Sequence, residues 1–461
     1  MTRIIALAGL LLTVGGLPPQ AARQPAAPNV ILIHVDDLGY GDLSAYGQQR
    51  FATPTLDRMA QEGTRFTQYY SGSTVCAPSR AVLMTGLHTG HTRIRGNGDI
   101  PLAPEELTLG EVLQQAGYRT AAIGKWGLGT AETTGRPDRQ GFDLSFGYLH
   151  HRHAHRQYVD HLWRDGERVS FDPRTTYAND LFTDAALGFI REAPRRPFFL
   201  YLAYTAPHAE MWVPEDSMAP FLGRFPETPF SSPRIDANPW PPDYHQGGYR
   251  SQATPKAAFA GMVSRIDRDV GRVLAELRAR GLDRRTLVLF TSDNGPHAEG
   301  GADPEYFDSN GPLRGMKRDL YEGGIRVPMI ARWPGTVPAG RESDQVWAHW
   351  DLLPTLASLA GAPTPARLDG RSMAGALRGG SSPAHEFLYW EFHERGFQQA
   401  VRMGRWKAVR LTRGAPLELY DLTTDVGETT DVAREHADVV ARIEGYLKTA
   451  RTPSDRWPGT R

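Results

Sequence analysis

Five short apolar runs, at residues 29–35, 120–123, 197–204, 286–290 and 327–333, are separated by stretches of helical periodicity. This alternation constrains the fold more than any other feature of the chain. A run of four to eight apolar residues bounded by polar ones reads as a strand buried on both faces, as in a parallel sheet covered by helices. Helices are read at 55–62 and 109–116, each followed by a glycine, and at 255–280 and 351–359. In the longest, Phe259, Met262, Val263, Ile266, Val270, Val273 and Leu274 fall at helical spacing. The predicted fold is α/β, with a mostly parallel central sheet and helices on both faces.

From about residue 385 the pattern changes. Strand-like runs at 386–392, 398–403, 406–411 and 417–422 are separated by turn residues, and 434–451 reads as an amphipathic closing helix. This predicts a small C-terminal antiparallel sheet with one helix, residues 386–461, attached to a main domain at 28–385. The segment 224–254 is rich in Pro, Gly, Ser and aromatics and has no periodicity. A loop of that length in a compact domain is usually functional or disordered, so it is expected over the mouth of a site. At the start, one arginine precedes an apolar run that Pro18 and Pro19 close. The run is short for a bilayer span, so residues 1–22 read as a signal peptide and the mature protein as periplasmic or secreted; the alternative is an N-terminal membrane anchor. Lys plus Arg and Asp plus Glu both number 52, and this balance argues against a nucleic-acid partner. Oligomeric state is not legible.

Three local features carry chemistry. Asp36 and Asp37 follow the apolar run at 29–35, where a strand of a parallel sheet would end and where ligand sites in such sheets lie. Alone, the pair reads at least as well as a capped turn. Asp293 and Asn294 repeat the arrangement after 286–290. The four together form an all-oxygen set that suits a hard cation, calcium or magnesium, and disfavours zinc. The third feature is Cys76, the one cysteine of the chain. In an exported protein it cannot form an internal disulfide, so the thiol needs another explanation.

Cys76-Ala77-Pro78-Ser79-Arg80, followed by Leu83-Met84-Thr85-Gly86, resembles the signature of the type I sulfatases, the arylsulfatase A-like branch of the alkaline phosphatase superfamily. The resemblance runs from residue 29 to the C-terminal helix. It implies an alkaline phosphatase-like fold and conversion of Cys76 to formylglycine by a formylglycine-generating enzyme. The hydrated aldehyde carries two hydroxyls on one carbon: one attacks sulfur, and the other loses its proton and expels sulfate. The resemblance further implies a calcium ion (magnesium is the alternative) on Asp36, Asp37, residue 76, Asp293 and Asn294. Arg80 would neutralise the metal-bound residue 76. Lys125, in Gly124-Lys125-Trp126, and Lys317, in the segment 313–324, would bind the sulfate, and His208 would protonate the leaving group. The implied substrate is a sulfated carbohydrate, in preference to the alternative of a small aryl sulfate; a galactose-type 4-sulfate is the specific expectation.

One position departs from the pattern. The family carries a histidine after Lys-Trp, and here that position is Gly127. That histidine is the expected base for sulfate release. Histidine titrates near neutrality, so the run at 150–155 supplies candidates, with His153 or His155 as substitute base or substrate contact. A surface or metal-scavenging run explains the same residues equally well. Two other functions share this fold: a phosphonate or phosphodiester hydrolase, and a non-catalytic glycan-binding homologue, which Gly127 alone favours.

Overall fold

The computed structural model describes residues 27–192, 196–239 and 248–459. The expected signal peptide lies outside the described residues, and no described helix is long and apolar enough to cross a membrane. The strands are β1 Asn29–Asp36, β2 Thr64–Phe66, β3 Tyr69–Tyr70, β4 Arg119–Lys125, β5 Leu144–Tyr148, β6 His161–Arg164, β7 Glu167–Ser170 and β8 Phe198–Pro207. They continue with β9 Thr286–Ser292, β10 Met329–Arg332, β11 Arg341–Ser343, β12 Trp347–Ala348, β13 Leu388–Phe392, β14 Gln398–Met403, β15 Trp406–Arg410 and β16 Glu418–Asp421.

Ten strands form one sheet in the order β11-β2-β10-β9-β1-β8-β4-β5-β6-β7. The middle five, β9 to β5, are parallel. Side chains alternate across β1. Ile31, Ile33 and Val35 pack with Phe182 and Ile190 of the helix Ala178–Arg191 and with Val263 and Val270 of the helix Pro255–Ala279. Val30 and Leu32 face the other way, onto Leu83, Leu113 and Leu356 from the helices Cys76–Thr85, Leu109–Gln115 and Leu352–Ala360. Both faces are therefore covered, and each fully buried aliphatic side chain contributes about 1.5–3 kcal/mol. The apolar run at 327–333 is the exception to the parallel expectation. It forms β10, antiparallel to β9. The chain leaves β9 at its carboxyl end, folds residues 293–328 on that side of the sheet, and enters β10 from there, so the strand has to run back.

The four C-terminal strands form an antiparallel meander, β13-β14-β15-β16. Trp390, Phe392, Ala400 and Val409 pack onto Tyr70, Val82, Ile325 and Trp350 of the main body. Val401, Ala408 and Leu419 meet Ile443 and Leu447 of the helix Ala437–Leu447 on the other face.

Register sets the position of the site. Val35 pairs with Ser292, Asp36 with Pro207, and Gly124 with Ala203. The residues after these pairs therefore emerge side by side at the carboxyl edge: Asp37, His208, Lys125 and Asp293.

Candidate functional site

Cys76 is the first residue of the helix Cys76–Thr85, whose ten residues are all buried. The helix runs beneath the carboxyl edge of the sheet, so that Arg80, one turn on, lies under the same cluster. The Arg80 guanidinium grips Asp293 through Nε and Nη2, at 3.1 and 2.8 Å from Oδ2, and its Nη2 lies 3.4 Å from Asp36 Oδ1. Its Nη1 donates to the Lys125 carbonyl at 2.7 Å and to the Tyr201 hydroxyl at 3.3 Å. Two lysines reach in from opposite sides. Lys125 Nζ lies 2.6 Å from Asp36 Oδ2, and Lys317 Nζ lies 2.7 Å from Asp37 Oδ2.

His208 stands beside Lys317, with Nε2 2.9 Å from Nζ. Its Nδ1 faces the Ala209 carbonyl, which can only accept, so Nδ1 carries the proton and Nε2 presents a lone pair. His155 stacks on His208 at 4.4 Å, and Tyr249 stands 6.1 Å from it. Tyr249 belongs to the 224–254 segment, so the described end of that loop reaches the site; its residues 240–247 lie outside the described residues.

The oxygen set tests directly for a cation. Asp37 N–H donates to Asp293 Oδ1 at 3.0 Å, and Asn294 Nδ2 donates to Asp37 Oδ1 at 2.6 Å. This orients the amide so that Asn294 Oδ1 is buried, and among the described residues it finds no hydrogen-bond partner. Ligand atoms of Asp36, Cys76 and Asp293 lie within 4.8 Å of one another, as do those of Asp37, Cys76 and His208. Burial, together with the charge of Asp36, pushes the Asp293 carboxyl up to about 8 even against Arg80. Arg80, Lys125 and Lys317 pair with the three carboxylates, so crowding and burial rather than a deficit of positive charge hold the Asp293 proton. An orphaned amide oxygen among crowded carboxylates fits a hard cation held by oxygen.

The two lysines stay charged. Burial disfavours the ammonium of each lysine, yet Asp36 holds Lys125 above its ordinary value and Asp37 holds Lys317 well above it. Burial, followed by the nearby Lys317, lowers His208 to about 4. Burial pushes the Cys76 thiol up to about 12, beyond the reach of the lysine charges.

The Sulfatase family model matches residues 28–362. The chain belongs to the sulfatase family. A second family model, that of the N-sulphoglucosamine sulphohydrolase C-terminal region, matches residues 315–452. N-acetylgalactosamine-6-sulfatase of Canis lupus familiaris is 32% identical over 487 residues, covering 97% of this chain and 84% of the relative. Arylsulfatase A of Homo sapiens is 32% identical over 508 residues, covering 95% of this chain and 89% of the relative. Among solved structures, Ps i-CgsB in complex with k-i-k-neocarrahexaose superposes with a TM-score of 0.77 at 29% identity, covering 92% of both chains. The chain is therefore a sulfuric ester hydrolase with the alkaline phosphatase-like architecture.

In this sulfatase the residues singled out by sequence converge, with one exception. Asp36, Asp37, Cys76, Arg80, Lys125, His208, Asp293, Asn294 and Lys317 form one buried cluster, and His155 joins it by stacking on His208. His153 is turned toward the sheet edge instead. Its ring lies 4.7 Å from Tyr148 and 4.4 Å from His161, with Nε2 3.6 Å from Asp160 Oδ1. The alternation of direction along the short turn His153–His155 sends the two histidines apart. The sequence reading passed over Glu299, whose carboxylate bridges Lys317 at 3.1 Å and Arg318 at 2.6 Å and accepts from Tyr249 at 2.8 Å. No motif marked it; its place six residues past Asp293, on the loop leaving β9, was the available signal.

Proposed function

We propose that this sulfatase hydrolyses sulfate esters on sulfated carbohydrates, with Cys76 converted to formylglycine and a calcium ion held by Asp36, Asp37, Asp293 and Asn294. The observation that carries the reading is the convergence of Cys76 with two charged, buried lysines and the unpartnered Asn294 oxygen. A thiol raised to about 12 is almost wholly protonated at neutral pH, so the unmodified side chain is a poor nucleophile. Formylglycine would supply a hydrated aldehyde, whose paired hydroxyls allow both attack and release. The cation would neutralise charge on residue 76 and on the bound ester.

The chain's own residues supply the rest. Lys125 and Lys317, on opposite sides of Asp36 and Asp37, clamp the equatorial oxygens of the sulfo group as charge builds there. Arg80 fixes the positions of Asp293 and Asp36. His208 is neutral at rest, and the anion arriving beside it favours its protonated form. Its Nε2 can then donate to the departing sugar oxygen. The name of the N-acetylgalactosamine-6-sulfatase relative and the neocarrahexaose bound to the solved neighbour support a sugar substrate. Galactose-type 4-sulfate and N-acetylgalactosamine 6-sulfate both belong in a substrate panel. The apolar N-terminal run supports export, and fractionation of the native host tests it.

Turnover of nitrophenyl sulfate should exceed that of nitrophenyl phosphate and phenylphosphonate, and the tryptic peptide spanning Cys76 should be about 18 Da lighter than encoded. Dominant phosphoester or phosphonate turnover, or an active enzyme with an unmodified peptide, would overturn the reading.

A further inference from the structure

Sulfate release needs a proton acceptor on the Cys76 side of the site. The groups assigned above do not provide one. Lys125 and Lys317 are held in their charged forms by Asp36 and Asp37. Arg80 is a permanent cation, and the carboxylates are committed to the metal set. A ring nitrogen of His208 lies within 4.8 Å of Cys76, but its Nε2 is taken by Lys317 at 2.9 Å and by the leaving group, and its Nδ1 by the Ala209 carbonyl. His155 stacks on the same ring.

Gly127 opens the remaining side. It follows β4, two residues after Lys125, with a positive φ of 79°. A Cβ placed on it would lie 3.6 Å from the Cβ of His151 and 4.0 Å from Cδ of Arg80. His151 therefore borders the space beside the Arg80 stem, one helical turn from Cys76. Two backbone bonds fix this juxtaposition: Trp126 N–H to the Tyr148 carbonyl at 2.9 Å, and Gly127 N–H to the Leu149 carbonyl at 3.0 Å. The His151 ring is buried and stacks on His150 at 4.6 Å, and His150 Nε2 lies 2.9 Å from Asp99 Oδ1.

We propose that His151 is the general base that resets residue 76, acting through the space that Gly127 leaves without a side chain. The proposal rests on the formylglycine reading. In the step, the free hydroxyl on the carbon of residue 76 gives its proton to the His151 imidazole. Its O–H electron pair forms the C=O bond, the bond from carbon to the sulfate oxygen breaks, and sulfate leaves with that bond's electrons. Burial, then the charges of His150 and Lys125, keep His151 neutral with a lone pair available. The proton has a way out. Asp99, His150 and His151 each offer an atom within 4.8 Å of the others, and Asp99 is exposed. They border a cavity of about 20 Å³, enough for one water to bridge them.

The test is rapid mixing of His151→Ala, His151→Gln and wild type with nitrophenyl sulfate, followed by quenching and mass analysis of the peptide spanning residue 76. Expected for both variants is a nitrophenol burst of about one per converted site, then a steady state on the order of 100-fold slower than wild type. The quenched variants should carry a sulfo adduct on that peptide, and added imidazole should speed His151→Ala but not wild type. The burst itself shows that the rest of the site is folded. Wild-type turnover in His151→Ala, loss of burst and steady state together at an unchanged melting temperature, or an adduct that accumulates in His155→Ala instead would each overturn the assignment. If the wild-type peptide lacks formylglycine, the underlying reading falls and this one with it.

Discussion

Asn294 shows how much a single atom specifies. Its Nδ2 is committed to Asp37, which turns Oδ1 into a buried acceptor with no described donor. Leaving such an atom unpaired costs about 1–3 kcal/mol, and a bound cation removes that penalty. A ligand that binds the folded state stabilises it by mass action, so calcium should raise the melting temperature of the wild type and chelation should lower it. Asn294→Ala should shrink that calcium-dependent difference; an unchanged difference would remove Asn294 from the metal set. Lys317 is the second case. It touches Asp37, His208 and Glu299 at once. Lys317→Ala should lower kcat/KM by roughly 10²–10³-fold, as the loss of a group that stabilises developing charge does. A change in KM alone would reassign it to ground-state binding. The residues of the buried cluster, among them those proposed for the metal and the sulfate, were legible because each sits in a local motif. Glu299 and His151 were not, because what matters in them is a contact across the fold: Glu299 with Lys317, and His151 with the bare face of Gly127.

Elements were legible in proportion to their burial and length. The helix Leu109–Gln115 ends one residue before its expected limit, and a capping box defines its start. The Thr108 hydroxyl accepts from Glu111 N–H at 3.2 Å, and the Glu111 carboxylate accepts from Thr108 N–H at 2.8 Å. Thr108→Ala should cost about 1 kcal/mol, read as a lower urea midpoint with kcat unchanged. The hydroxyl also donates to the Gln140 carbonyl at 2.8 Å, so a larger loss would locate its main role in that tie rather than in the cap. The strands β1, β4, β8 and β9 announced themselves as apolar runs buried on both faces. Strand β5 did not: Leu144-Ser145-Phe146-Gly147-Tyr148 is short and carries a glycine, and neighbours rather than propensity hold it in the sheet. Strand β6 is four residues long with only its first half buried, and the edge strand β7 is charged and mostly exposed, so neither shows an apolar run.

At the scale of the whole molecule, the C-terminal sheet is fastened to the main body by a buried carboxylate as well as by apolar packing. Glu391 of β13 has no exposed surface. It accepts from Arg95 at 3.0 Å, Arg451 at 2.7 Å, His393 at 3.0 Å and the Tyr389 hydroxyl at 2.8 Å. It thereby joins the 89–97 loop, the small sheet and the C-terminal segment. Burial alone would raise its pKa, but His393, Arg451 and Arg95 together lower it to about 2. A carboxyl whose folded pKa lies below its unfolded value of 4.5 contributes stability that is fully present above 4.5 and is lost as the pH falls toward 2. The shift corresponds to about 3 kcal/mol at neutral pH. Glu391→Gln keeps the shape and part of the hydrogen bonding but cannot ionise, and it leaves Arg95 and Arg451 without their shared counter-charge. The variant should therefore melt well below wild type at pH 7, and the gap should close as the pH is lowered through that window. A gap of constant size across the same range would mean that packing around the side chain, and not its charge, fastens the two parts together.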